Sequence, residues 1–306
     1  MTGAPLIVVQ ARAGSTRLPG KVLMDLGGMP LRAFQLRRLA PITGLTGAKV
    51  VVATSDLPAD DAIAELAASL GIAAVRGPEA DVLGRFAIAM ALHPADTVVR
   101  LTGDCPLTDP FIVRAALDLH AEAEADYTCN VLPRSYPKGL DVEVLSARAL
   151  RMAELEATEA PDREHVTPYV YRRPERFRIA NLHSGQPLGD ERWTVDTADD
   201  LARVREIVSL VPDPLTASWN RILQVVGRTT KPRPDQLWLK PLASAEPGSS
   251  PWVRHWSAEV NGASVGEVTV SVGGGRTERD VRVDDRWLEP AREALYRLLL
   301  GDQQTR

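Results

Sequence analysis

Through its first two thirds the chain alternates short apolar runs with amphipathic stretches. Leu6-Ile7-Val8-Val9 is an unbroken apolar run, the pattern of a strand buried on both faces. Pro30–Leu39 carries apolar residues at Leu31, Phe34 and Leu39 behind a proline, which predicts a helix. The same reading gives strands at Lys49–Thr54, Ile72–Val75 and Thr97–Leu101. It gives helices at Asp60–Leu70 (stopped by Gly71), Asp81–Leu92 and Pro110–Glu124. This βαβα rhythm predicts an α/β fold, a mostly parallel sheet with helices on both faces and ligands at the carboxyl ends of its strands. Residues 127–180 are less regular. A strand over Leu140–Leu145 would put Asp141 and Glu143 on one face, and Arg148–Ala157 reads as a helix. A further helix over Ala198–Leu210 would be capped by Asp196 or Thr197.

The pattern changes after residue 226. Residues 1–226 read as one catalytic domain, 227–250 as a linker punctuated by prolines, and 251–306 as a small α+β appendage. In the appendage, Ala263–Val272 and Arg279–Val283 read as strands flanking Gly273-Gly274-Gly275, a hairpin turn, and Leu288–Leu300 as a closing helix. With 44% hydrophobic and 25% charged residues, 306 residues can bury a core without disulfides or structural metal. The formal net charge of −4 argues against general nucleic-acid binding. Cys105 and Cys129 supply no disulfide framework or metal spacing. No apolar run approaches the ~18 residues of a membrane span, and no cationic-then-apolar leader opens the chain, so a cytoplasmic protein with no membrane partner is expected.

Candidate chemistry gathers just after predicted strands. The first strand opens into a loop holding Arg12, Gly14, Ser15, Arg17, Gly20 and Lys21, a composition suited to cradling polyphosphate. It is not a Walker A loop, because five residues separate the glycines and Val22 follows the lysine. A surface turn with solvated cations is the other reading. Asp104 follows the Thr97–Leu101 strand, and Asp196 precedes a helix. The two could share one Mg²⁺ with a triphosphate, although each alone reads as a turn residue or a helix cap.

Four segments in order carry a resemblance: Gln10-Ala11-Arg12-Ala13-Gly14-Ser15-Thr16-Arg17-Leu18-Pro19-Gly20-Lys21, Leu101-Thr102-Gly103-Asp104-Cys105-Pro106, Gly139-Leu140-Asp141-Val142-Glu143-Val144 and Arg163-Glu164-His165-Val166-Thr167-Pro168-Tyr169. Over residues 5–210 the chain resembles the cytidylyltransferases of bacterial surface-polysaccharide synthesis. The match is nearest the spore-coat polysaccharide branch, since octulosonate enzymes carry glutamate where this chain has Cys105. The resemblance implies a nucleotide-diphospho-sugar transferase-like fold. It also implies transfer of CMP from CTP to the hydroxyl of an octulosonate- or nonulosonate-like sugar acid, with release of pyrophosphate. By the same resemblance, Arg12, Gly14, Ser15, Arg17 and Lys21 contact the CTP phosphates, and Arg85 belongs to the nucleotide pocket. Arg12, Arg17, Lys21 and Asp104 act in catalysis, and Asp104 and Asp196 bind Mg²⁺. Asp141, Glu143 and His165 face the acceptor. From the residues alone, Asp141 and Glu143 read equally as the wet side of a sheet, and His165 as a structural hydrogen-bonding residue. A homodimer is expected. Another nucleotide, a phosphate or phosphonate acceptor, or a non-catalytic nucleotide-binding scaffold are the competing readings.

Overall fold

The structure, a computed structural model, describes residues 3–14, 17–227, 237–241, 252–260, 263–273 and 276–283. It forms two compact units, residues 1–182 with 189–226, and residues 183–188 with 227–306. The first begins with β1 (Leu6–Gln10), a short hairpin of β2 (Asp25–Leu26) and β3 (Met29–Pro30), α1 (Leu31–Arg38) and α2 (Ala40–Thr46). Then come β4 (Lys49–Ser55), α3 (Asp61–Ser69), β5 (Ala73–Gly77), α4 (Val82–Leu92), β6 (Thr97–Thr102) and α5 (Pro110–Glu122). The order continues through β7 (Tyr127–Cys129), β8 (Glu143–Ser146), α6 (Ala147–Glu156), α7 (Ala160–His165), α8 (Pro168–Tyr171) and β9 (Ile179–Asn181). It closes with α9 (Ala198–Leu210) and α10 (Trp219–Gly227).

Seven strands form one sheet in the order β5-β4-β1-β6-β8-β7-β9. Pairing is parallel from β5 through β6, and β8 inserts antiparallel between β6 and β7. The expected mostly parallel α/β sheet is therefore present. β1 is apolar throughout Leu6–Val9 because it lies at the middle of this sheet, with all four side chains buried. Leu6 and Val8 join a core built from α4, α6 and α8 residues such as Phe86, Leu150 and Val170.

Polar caps set the helix starts. Asp81 accepts the Gly84 N–H at the head of α4, Asp109 accepts that of Phe111 at α5, and Thr197 and Asp200 form a reciprocal capping box at α9. The strand expected over Leu140–Leu145 is shorter, Glu143–Ser146. Asn130 is the reason: its side chain donates to the Leu140 carbonyl at 2.7 Å and accepts the Val142 N–H at 2.9 Å, satisfying groups that a ladder would use. Asp141 therefore sits in a strapped loop, not on a strand face shared with Glu143.

The second unit contains an antiparallel sheet in the order β10 (Leu237–Pro241), β11 (Trp252–Val260), β12 (Ala263–Gly273) and β13 (Arg276–Val283). Gly273 lies opposite Arg276, closing a β12–β13 hairpin. Gly274, Gly275, the expected helix Leu288–Leu300 and residues 228–236 and 242–250 of the expected linker lie outside the described residues. Among the described residues no helix is long and apolar enough to cross a membrane.

One buried histidine ties stability to pH. His120 on α5 is 6% exposed, and its Nδ1 lies 3.0 Å from the Thr128 hydroxyl on β7. Burial drives its pKa down to about 4, against the opposing pull of Asp126. The unfolded chain binds this proton at higher pH than the folded one, so stability falls as pH drops from about 6.5 toward 4. Urea denaturation at pH 7 and pH 5 is expected to show a loss of about 2 kcal/mol from this group. His120→Asn is expected to remove that part of the pH dependence.

Candidate active site

β1 pairs with β4 on one side and β6 on the other, with Gln10 opposite both Ala53 and Thr102. The Arg12 loop and the Gly103-Asp104 turn therefore leave the sheet side by side. They open on a cavity of about 410 Å³ whose walls include Arg12, Gly14, Arg17, Lys21, Arg85, Asp104, His165 and Asp196. Segments far apart in the sequence thus converge on one concavity. Ser15 lies outside the described residues.

The loop is tied down at both ends. Near its start the Ala13 N–H donates to Asp60 Oδ1 at 2.6 Å. At its far end Gly20, at φ +68°, begins a single 3₁₀ turn over Lys21–Leu23. The Lys21 ammonium then donates to the Val195 carbonyl at 2.7 Å and to Asp196 Oδ1 at 3.0 Å. Arg17 approaches the other Asp196 oxygen at 3.4 Å, and Arg192 donates to it at 3.0 Å. Burial alone raises the Asp196 pKa, but Lys21, Arg17 and Arg192 outweigh it and hold the carboxyl below its usual range. The Val195 N–H donates to the Asp104 carbonyl at 2.8 Å, which stitches the two aspartate segments together.

Two arginines in the wall are almost wholly buried. Arg32 donates to the Gly103 carbonyl at 3.1 Å and to Gln35, whose amide in turn donates to the Thr102 carbonyl at 2.9 Å. A Cβ on Gly103 would fall 1.9 Å from Arg32 Nη2, so any larger residue there has to displace this guanidinium. Burial lowers the Arg32 pKa to about 10, with Asp104 pulling the other way. Arg85 is 2% exposed, and its Nε and Nη1 have no hydrogen-bond partner. Burial lowers its pKa, and Asp60 is the largest opposing influence. Arg12 is held loosely by comparison, 4.0 Å from Glu79 and 3.9 Å from Glu164.

A second cavity of about 260 Å³ shares Arg100, Thr102 and His165 with the first. Asp141, Glu143 and His165 all line it, with Tyr127, Pro168 and Tyr171. Glu143 is buried and fully engaged: Oε1 accepts from Tyr127 at 2.6 Å and Thr167 at 2.7 Å, and Oε2 accepts from Arg100. Asp141 takes a two-pronged pair from Arg134, at 2.5 and 2.8 Å. His165 ends α7 at a γ-turn: Val166 sits at φ +71°, and the Thr167 N–H bonds back to the His165 carbonyl at 2.8 Å. A β-branched residue at positive φ is strained, and here it aims His165 and Thr167 at the same cavity.

The donor set suits a divalent ion that brings ligands of its own. Among the described residues no group of three or more His, Cys, Asp and Glu side chains could hold a metal unaided. Asp104 and Asp196 both line the cavity, Asp196 with its oxygens paired to Lys21, Arg17 and Arg192; an ion held there would need phosphate and water oxygens to complete it.

The sequence reading missed Arg32, Asp60 and Arg100. Arg100 had one available signal, since it lies four residues before Asp104 on the strand that delivers it.

Residues 6–208 match the protein family described as cytidylyltransferase. Spore coat polysaccharide biosynthesis protein SpsF of Bacillus subtilis is 30% identical over 228 residues, 73% of this chain and 94% of its own length. A 3-deoxy-manno-octulosonate cytidylyltransferase of Methylorubrum extorquens is 32% identical over 203 residues, 60% of this chain and 78% of its own. The solved structure of a cytidylyltransferase from Leptospira borgpetersenii superposes with a TM-score of 0.69 at 29% identity, covering 74% of this chain and 94% of that one.

The segment bearing Asp196 rests on one glycine. Gly139 has φ +113°, and a Cβ there would meet the Trp193 carbonyl carbon at 2.7 Å, while Trp193 N–H bonds to the Lys138 carbonyl at 2.7 Å. Backbone cannot move aside as a side-chain tip can. Gly139→Ala is expected to cost about 3 kcal/mol or more in urea denaturation. Gly28→Ala, at φ +82° with nothing within 4 Å, serves as the comparison and is expected to cost only about 1 kcal/mol.

Proposed function

The chain belongs to the cytidylyltransferase family and is a nucleotidyltransferase, and we propose that it transfers CMP from CTP to a hydroxyl of a small sugar acid, releasing pyrophosphate. The observation that carries this reading is the meeting of Lys21 and Arg17 with Asp104 and Asp196 in one cavity that opens onto a second. The sugar-acid class is supported by the 3-deoxy-manno-octulosonate cytidylyltransferase relative. The reaction is assigned to residues 1–226, with the sheet of β10–β13 outside it; β10 (Leu237–Pro241) falls inside the expected 227–250 linker and pairs with β11.

In this reading CTP fills the larger cavity. Arg12, Lys21 and Arg17 receive the phosphates together with Ser15, and the glycine backbone at Gly14 lets them approach closely. Arg85, which lines that cavity, is assigned to the nucleotide. Asp104 and Asp196 hold Mg²⁺, which when bound neutralises charge across the phosphate oxygens. The acceptor occupies the smaller cavity, with Asp141 and His165 beside it and Glu143 holding Arg100 and Thr167 in place. Its hydroxyl oxygen bonds to the α-phosphorus as the bond to the pyrophosphate oxygen breaks, and Arg17 and Lys21 stabilise the leaving anion. Asp196, surrounded by Lys21, Arg17 and Arg192, is a weak base. His165, common to both cavities, is the side chain placed to take the hydroxyl proton.

Incubation with CTP, Mg²⁺ and a panel of sugar acids is expected to yield a CMP adduct detectable by mass spectrometry. Thermal shift with CTP is expected to exceed that with GTP, UTP or ATP. Asp104→Asn is expected to abolish pyrophosphate release with little change in melting temperature; normal release at ordinary Mg²⁺ would refute its metal role. Lys21→Ala is expected to lower the rate by ~10²–10³, and a loss below about threefold would reduce it to a surface charge.

A further inference from the structure

Asp60 is a buried carboxylate that the reaction above does not use. It ends a single 3₁₀ turn, Pro58–Asp60, at the carboxyl end of β4, and is 2% exposed. Oδ2 accepts from the Ser55 N–H at 2.9 Å, the Thr54 hydroxyl at 2.9 Å and the Ser55 hydroxyl at 2.5 Å. Oδ1 accepts the Ala13 N–H at 2.6 Å, a bond spanning 47 residues. Asp60 thus accepts four hydrogen bonds, three on Oδ2 and one on Oδ1. Burial pushes its pKa up, but the donors from Ser55, Ala13 and Thr54 outweigh that and hold it below the usual range. Asp60 is also the strongest acidic influence on buried Arg85. No hydrogen bond joins the two, and Arg85 keeps Nε and Nη1 unpartnered.

We propose that Asp60 is a positioning residue of the nucleotide site, fixing the Arg12 loop through the Ala13 N–H. This rests on the reading of that cavity as the CTP site. The chemistry separates the anchor from general packing. In Asp60→Asn one of the two acceptor atoms becomes an NH₂ group. Both oxygens face a backbone N–H, so either amide orientation sets donor against donor. The face with three donors keeps the oxygen, and the NH₂ turns on Ala13 and frees the loop.

The test compares wild type, Asp60→Asn and Ser55→Ala by calorimetric CTP titration, steady-state kinetics and amide exchange at Ala13 in nucleotide-free protein. Asp60→Asn is expected to weaken CTP binding about 10–100-fold, to raise KM for CTP in step, and to change kcat at saturating CTP less than about threefold. Exchange at Ala13 quickens. Ser55→Ala removes one donor to Oδ2 and spares the Ala13 bond, so CTP affinity stays within about twofold. Equal weakening in both variants, or wild-type affinity in a folded Asp60→Asn, overturns the proposal. If Asp60→Asn does not fold, replacing the Ala13 amide by an ester removes the same bond from the loop side; unchanged CTP affinity there overturns the proposal equally. Failure of the functional reading has a separate signature, wild-type protein that binds no CTP while Ala13 exchange still quickens in Asp60→Asn. That result also ends the nucleotide role of Asp60.

Discussion

Crowding Arg12, Arg17, Lys21, Arg32 and Arg85 around one concavity is repulsive, and the cleft depends on how that repulsion is offset. Each cation has an acidic counterpart, but not equally close. Lys21 is bonded to Asp196 at 3.0 Å, and Arg12 only approaches Glu79 and Glu164 near 4 Å. Arg85 has charge compensation and no hydrogen bond. The gradient separates cations that hold the scaffold from cations available to an anion. In the proposed reading a polyphosphate meets Arg12 as the least committed of these cations, a form of electrostatic preorganisation that phosphoryl transfer uses.

The sheet makes this arrangement possible. Because β1 is flanked by β4 and β6 in parallel register, three strand ends stop at one edge. They deliver the Arg12 loop, the Asp60 turn and Asp104 without any long connection. The antiparallel insertion of β8 then brings Glu143 beside Arg100, with the two directly opposite in register. Arg100 of that pair lines both cavities, and Glu143 lines the smaller one.

Much of this was legible in the sequence where one residue type does one job. β1, β4 and β6 stand out as apolar runs because both their faces are buried, and Thr197 announces α9 because capping is local chemistry. The loop cations and Asp104 and Asp196 are recognisable from the strands and helix that precede or follow them. What was hidden depends on partners far away in the chain. Arg32, Gln35 and Arg38 are given no role by the helical pattern, yet all three are buried, donating to carbonyls such as those of Gly103, Thr102 and Thr108. Helical periodicity reports polarity and cannot tell water from a buried carbonyl. Asp60 reads as an ordinary helix-start acid, and Glu143 as a wet strand position, for the same reason. Asn130 truncates a well-patterned strand from ten residues away, which no local window detects.

The interlock of Gly103 and Arg32 has a bearing on how this chain can diverge. A methyl group at position 103 would push the Arg32 guanidinium off the carbonyl it bonds, so a change at the glycine is felt by the arginine. Shortening the arginine would in turn leave the Gly103 carbonyl without that donor. The two positions are coupled, and the effects of substitutions at them are expected to be non-additive.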